Sequence, residues 1–107
     1  MVDRFKSPCA PPEGIEREAA EILIEECAEV QQRATKLLRF GVREVQPGQP
    51  HDNAYRLGME VGDLLETIDL AMEAGIVTLA GIEAGRASKR RQLARFMQHG
   101  RHGERIP

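Results

Sequence analysis

The stretch EGIEREAAEILIEECAEVQQRATKLLRF, residues 13–40, decides how this chain folds. It contains no proline, its one glycine stands near the start, and Ala19, Leu23, Cys27, Val30, Ala34, Leu37 and Leu38 recur at helical spacing. Pro11-Pro12-Glu13 leads into it in the manner of a helix start. Gly41 follows it and can supply the left-handed conformation that ends a helix. The next segment, VREVQPGQPH at 42–51, carries Pro47, Gly48 and Pro50, cannot continue the helix and reads as a loop.

Working outward, Asp52 is a candidate N-cap for a second helix reaching about Ala74, with Leu57, Val61, Leu64, Leu65, Ile68 and Met72 as its apolar stripe and Gly75 as its stop. A third helix is expected from Val77 or Thr78 to His99. Its apolar residues (Leu79, Ile82, Ala87, Leu93, Phe96 and Met97) are sparser, and Gly81 and Gly85 weaken its first half. No segment alternates at period two for long enough to form a strand, and no solenoid-length repeat is visible. The expected fold is therefore all-α, an antiparallel helical bundle completed by dimerisation. Residues 1–12, with three prolines, read as a mobile arm, 13–99 as the helical domain, and 100–107 as a frayed tail.

A chain of 107 residues is one domain by length and can bury only a modest share of its surface by itself, so self-association is expected to add burial. With 41% hydrophobic residues, three Phe, one Tyr and no Trp, any core must be built from aliphatic side chains and Met. Cys9 and Cys27 are too few for a disulfide framework and lack zinc-ligand spacing; they read as reduced thiols in a cytoplasmic protein. No run of about 18 apolar residues or signal-peptide pattern is present, so no membrane partner is expected. The net charge of −2 hides an asymmetry: residues 86–107 hold seven Lys/Arg against one acid, whereas 1–85 hold eight against sixteen. A basic end on an acidic body suits an anionic ligand or an intersubunit charge match.

The acids of the first two helices carry the chemistry. At roughly 100° per residue from Glu26, the apolar stripe of the first helix centres near about 70° and Glu29 falls near about 300°. From Glu60 the stripe of the second helix centres near about 80°, and Asp63 again falls near about 300°. Each helix thus has the same acidic pair, three residues apart, with the first acid bordering the apolar stripe. Four carboxylates converge if the helices pack antiparallel. Converging carboxylates raise one another's pKa unless a cation neutralises them, and an all-oxygen set suits magnesium or manganese. Such acids can also be plain solvated surface, which is how Glu66, Asp69 and Glu73, on the far side of the second helix, are read. Arg33 and Lys36 continue the flank of Glu29, while Asn53 and Arg56 precede Glu60 by two turns and one; all four could contact phosphate oxygens. An ordinary ion pair to Glu29 is the competing reading of Arg33, and a solvated side chain that of Lys36. Cys27 lies within the stripe and reads as core rather than nucleophile.

Glu25-Glu26-Cys27-Ala28-Glu29 followed by Glu60-Val61-Gly62-Asp63 resembles the mark of the all-alpha nucleoside triphosphate pyrophosphohydrolases, the MazG-like superfamily: E-E-x-x-E on one helix and E-x-x-D on the next. KLLRFG at 36–41, an Asn before the second motif and DLLETIDL at 63–70 also look like this family, so the resemblance runs from Ile15 to Gly75 and loosely to Lys89 and Arg95. One departure is the interval of thirty residues between Glu29 and Glu60, long for the family because of the Pro/Gly loop at 46–50.

The resemblance implies magnesium, or manganese, held by Glu26, Glu29, Glu60 and Asp63, with Glu25 and Glu26 as the catalytic acids. It implies hydrolysis of a nucleoside triphosphate to the monophosphate and pyrophosphate, and a homodimer or homotetramer. Lys89 and Arg95 of the third helix are then further candidates for phosphate binding. Two other readings stay open on the sequence: a non-catalytic helical interaction module, and a phosphoribosyl-ATP pyrophosphohydrolase of the same superfamily. Nucleic-acid binding is not expected, since one Tyr and three Phe offer little stacking surface and no recognition-helix signature is present.

Overall fold

The computed structural model describes residues 9–105, and within them the chain forms three helices: α1 (Gly14–Phe40), α2 (Asn53–Glu73) and α3 (Leu79–Phe96). Of the expected arm, residues 1–8 lie outside the described residues, and 9–13 are turn, bend and irregular chain. The chain divides into two compact units, one ending at Ile76 and the other beginning at Val77. No helix among the described residues is long and apolar enough to cross a membrane.

In the first unit α1 and α2 pack against each other as a hairpin. Its sense follows from its pairings: Asn53 reaches Gly41, Glu60 hydrogen-bonds with Glu29, and Asp63 acts on Glu26. Partners advance along α2 as they retreat along α1, so the helices are antiparallel. Small residues lie at their contact: Ala19 and Ala71 are fully buried, and Thr67 is buried with its hydroxyl donating to Asp63 O at 2.9 Å.

The connection is ordered by the hydrogen-bond needs of the start of α2. A helix leaves its first four N–H groups without intrahelical acceptors. Here Asn53 N donates to Glu44 O at 3.0 Å and Ala54 N to Val42 O at 3.1 Å, while Arg56 N makes the first intrahelical bond, to Asp52 O at 3.1 Å. Tyr55 N donates to Asp52 Oδ1 at 2.8 Å, as expected of an Asp N-cap. The Asn53 side chain closes the arrangement, with Nδ2 donating to Gly41 O at 2.8 Å and to Glu44 Oε1 at 3.1 Å. Asn53 is only 2% exposed. The expectation that it contacts substrate is therefore corrected: its donors are spent on the loop.

Helix ends follow the sequence with two refinements. Gly41 has φ 106° and ψ 152°, positive in φ but extended in ψ, so it ends α1 by turning the chain away and not by a left-handed helical residue. Gly75, at φ 82°, does form the expected stop: its N–H donates to Met72 O and that of Ile76 to Ala71 O, the paired bonds of a Schellman motif.

In the second unit Thr78 caps α3, its hydroxyl accepting from Gly81 N at 3.1 Å. A Cβ on Gly81 would lie 2.9 Å from that hydroxyl oxygen, so the glycine that weakens the helix by propensity leaves room for its cap. The helix stops at Phe96, short of the expected His99, because Met97 is extended. Beyond α3 the described residues of the tail form a turn. Gly100 N donates to Glu104 O at 2.7 Å, Gly103 N to Gly100 O at 3.0 Å, and His99 pairs with Arg105 in an isolated antiparallel bridge.

The expected apolar stripes are only partly covered. Leu38 is 84% exposed, and Cys27, Val61 and Leu65 are also exposed, so Cys27 is not core in the single chain. One helical neighbour covers a narrower arc than the stripe spans.

Replacing Asn53 with Ala removes the donor to Gly41 O and Glu44 Oε1 from a buried position. Urea unfolding followed by circular dichroism should show a loss of about 1–3 kcal/mol. An unchanged midpoint and slope would mean that the loop does not depend on this side chain.

Candidate metal centre and adjoining cavity

Antiparallel packing brings the two acidic pairs face to face. Oxygens of Glu26, Glu60 and Asp63 lie within 4.8 Å of one another, with Glu26 and Glu60 half-buried and Asp63 exposed. Oxygens that share one divalent ion at about 2.0–2.6 Å can be separated by about 4–5 Å, so the triad is on the scale of a single hard-cation site. Glu29, the fourth expected ligand, is exposed and outside this triad, within hydrogen-bonding reach of the Glu60 carboxyl. Glu25 is exposed and close enough to Glu26 for its charge to be felt there.

The electrostatics follow from that placement. Burial raises the Glu26 carboxyl above its ordinary value, and the negative charges of Glu29, Asp63 and Glu25 raise it further. Glu60 is raised first by burial, then by its hydrogen bond to Glu29, and then by the charges of Glu29, Asp63 and Glu26. Glu26 Oε2 and Glu60 Oε2 are buried atoms without a hydrogen-bond partner. Buried acceptors in native proteins are nearly always satisfied, so two orphaned carboxylate oxygens in one acidic cluster have the donor chemistry of a hard-cation site.

Beside the acids the first unit holds an open cavity of about 360 Å³. Glu60 and Asp63 form one part of its wall together with Arg33 of α1. The Arg33 guanidinium has a buried Nη1 with no partner. Among the described residues the ion pairs are Arg17–Glu21 and Arg43–Asp52, so the alternative pairing of Arg33 with Glu29 does not form. Arg56 also lines the cavity and is held by its Nη1, which donates to Gln46 Oε1 at 2.8 Å. Lys36 is half-buried but does not line the cavity. Lys89 and Arg95 are exposed residues of the second unit, and Arg95 lies over the Phe96 ring, 5.3 Å from its centroid.

The remaining wall comes from residues not singled out in the sequence: Gln49, Pro50 and His51 of the loop, and Tyr55 and Met59 of α2. The His51 and Tyr55 rings stack with centroids 3.8 Å apart and an interplanar angle of 24°. His51 precedes the N-cap Asp52 and lies outside the helix, so the helical four-residue rule does not reach this pair and no local signal in the sequence announces it.

No protein-family model, no curated protein and no solved structure matches this chain. The resemblance to the MazG-like superfamily therefore rests on the motif residues and their placement on α1 and α2.

The raised carboxyls set the pH dependence of stability. In the folded, metal-free chain Glu26 and Glu60 resist ionisation more than in the unfolded chain. Their penalty is absent below the ordinary glutamate range, grows as pH rises through the raised folded values, and is complete above them. Glu60→Gln should accordingly raise the metal-free melting temperature at pH 7 relative to the parent, and the difference should shrink as pH falls through that window. Magnesium at ten times its dissociation constant should stabilise the parent by about 1.4 kcal/mol, several degrees in melting temperature for a chain of this size, and the variant much less. Equal responses in both proteins would remove Glu60 from any cation site.

Proposed function

We propose that this protein is a magnesium-dependent hydrolase, with manganese as an alternative ion, that converts nucleoside triphosphates to monophosphates and pyrophosphate. The observation that carries the reading is the pair of orphaned carboxylate oxygens, Glu26 Oε2 and Glu60 Oε2, brought together from two helices beside a cavity that also presents an orphaned guanidinium.

In this reading Glu26, Glu60 and Asp63 hold the cation, and Glu29 completes the set by taking up a position against Glu60. The cation's contribution is to neutralise phosphate charge and to lower the pKa of water, so that hydroxide is accessible near neutral pH. The chain's own part is positioning. Arg33 offers a preorganised donor for a phosphate oxygen, a task suited to the planar guanidinium fork. Arg56, anchored by Gln46, supplies a second positive charge on the same wall. Glu25 and Glu26 are the carboxylates that this reading assigns to take a proton from the attacking water. Water adds to the alpha phosphorus, the alpha–beta anhydride bond breaks, and pyrophosphate leaves with the bonding electrons. No covalent intermediate with the protein is required.

The same reading includes a homodimer or homotetramer. Its support is the apolar surface left open on the hairpin: Ile24, Leu38, Leu65 and Val61 are all exposed, whereas the fully buried apolar side chains among the described residues are those of two alanines. Apolar surface of that kind is stabilised by removal from water, and a second helical hairpin is the simplest cover.

Purified protein incubated with a panel of ribo- and deoxynucleoside triphosphates should release pyrophosphate with magnesium and none with chelator. Glu29→Gln and Asp63→Asn should each lower turnover by more than about 100-fold, beyond the usual effect of disturbing a ligand's supporting contacts, with helical content retained. Full turnover in both variants would exclude the acidic site as the site of reaction, and absence of release from every substrate would favour the non-catalytic helical module. Light scattering should return a mass at least twice the 11.9 kDa of the chain. A mass of one chain would remove the oligomer from the proposal.

A further inference from the structure

The cavity beside the acids has two chemically different ends, and the difference is written along one face of α2. Tyr55, Met59 and Asp63 recur every four residues, so they lie one above another on that face. Read from the start of the helix they are an aromatic ring, a thioether and a carboxylate. The rise of a helix puts the backbone of Tyr55 about 12 Å from that of Asp63. Of the lining residues Arg33, Glu60 and Asp63 are charged and His51, Tyr55 and Met59 are aromatic or apolar, with Arg56 the one charge next to Tyr55 in the chain.

The aromatic end is built, and it is not consumed by the fold. Tyr55 is fixed at the backbone by the Asp52 cap, and its ring is stacked on His51. Yet Tyr55 remains 53% exposed and Met59 58% exposed, so neither serves the contact between α1 and α2. His51 can cover only one face of the tyrosine ring, which leaves aromatic surface open to the cavity. Polarizable rings and a thioether are the surfaces on which flat heteroaromatic groups stack with little regard to sequence of polar atoms. The cavity volume of about 360 Å³ sits at the lower end of the range for small-molecule sites, about 300–1,000 Å³, and suits one such group with its adjoining sugar.

We propose that the His51–Tyr55 stack, with Met59, is the platform for the aromatic base of the ligand, so that this site selects base-bearing phosphates over bare polyphosphates. The inference rests on the hydrolase reading for the identity of the charged end, and it adds which residues hold the uncharged end. Stacking onto an exposed ring acts equally on bound substrate and on the transition state. It therefore governs KM more than kcat.

Tyr55 is the single tyrosine and the chain has no tryptophan, so its ring protons give one identifiable set of signals in a proton NMR spectrum. Adenosine and cytidine monophosphates, added with magnesium to the full chain, should move those signals upfield by ring-current shielding, whereas inorganic tripolyphosphate should not. In the pyrophosphate assay Tyr55→Ala should raise KM by about 5- to 100-fold, the range for loss of one base stack, with a much smaller change in kcat. Tyr55→Phe should recover most of the KM loss. Pyrophosphate release with an unmoved Tyr55 signal and an unchanged KM in Tyr55→Ala would overturn the platform and leave the hydrolase reading standing. Shielding of Tyr55 by nucleotides without any pyrophosphate release would uphold the platform and overturn the hydrolase. Neither response would overturn both.

Discussion

The start of α2 has four backbone donors to satisfy, and the way this is done sets the rest of the hairpin. Three residues of the loop turn back, Glu44 and Val42 accepting from the helix and Gly41 accepting from the Asn53 side chain. Because Asn53 is buried, an alternative register would strand its amide or the loop carbonyls away from water, at a cost of about 1–3 kcal/mol per group. Few large apolar side chains are fully buried between the helices, so that polar clamp contributes to the register alongside packing. The register in turn decides that Glu29 meets Glu60 and Glu26 meets Asp63. Shifting α2 by one residue would rotate it by about 100° and take its acids away from those of α1.

Bringing like charges together opposes folding, and two features of the hairpin bear on how this is tolerated. Glu26 and Glu60 have raised pKa values, so part of the charge can be relieved by protonation. Asp63 stays exposed, where water screens it. A cluster arranged in this way opposes folding by mutual repulsion, the reverse of a structural salt-bridge network. Stability concedes something at this point of the fold, as is common where residues serve a ligand.

Much of this was legible in the sequence, and the failures have identifiable causes. Helical spacing and the Asp52, Gly75 and Thr78 signals locate all three helices, because those signals are local and local hydrogen bonds decide helix ends. Equal angular offsets of the two acidic pairs from their stripes sufficed to bring Glu26, Glu60 and Asp63 together, since helix geometry is nearly invariant. Cys27 and Leu38 were misplaced because a stripe shows which face is apolar and not how wide its partner is. Asn53 reads as a substrate contact by its place two turns before Glu60; nothing local announces that a carboxylate nine residues away and a carbonyl twelve away take its amide. His51 and Tyr55 escaped notice for a related reason, as periodicity ranks residues within helices and is silent about what a loop lays over a helix.

The cavity thus draws its two kinds of wall from two kinds of structure. The acids and Arg33 stand on helices whose positions are tied by backbone hydrogen bonds, so their mutual geometry has little freedom. Gln49, Pro50 and His51 come from the loop, held by its two ends and by the Gln46–Arg56 contact. A change within 46–51 alters what fits above Tyr55 without moving Glu26 or Glu60, whereas a change in the clamp around Asn53 moves both. In the proposed hydrolase, selection of the ligand and handling of its charged end would therefore be separable: the loop with its Pro and Gly residues shapes the first, and the register of the hairpin fixes the second.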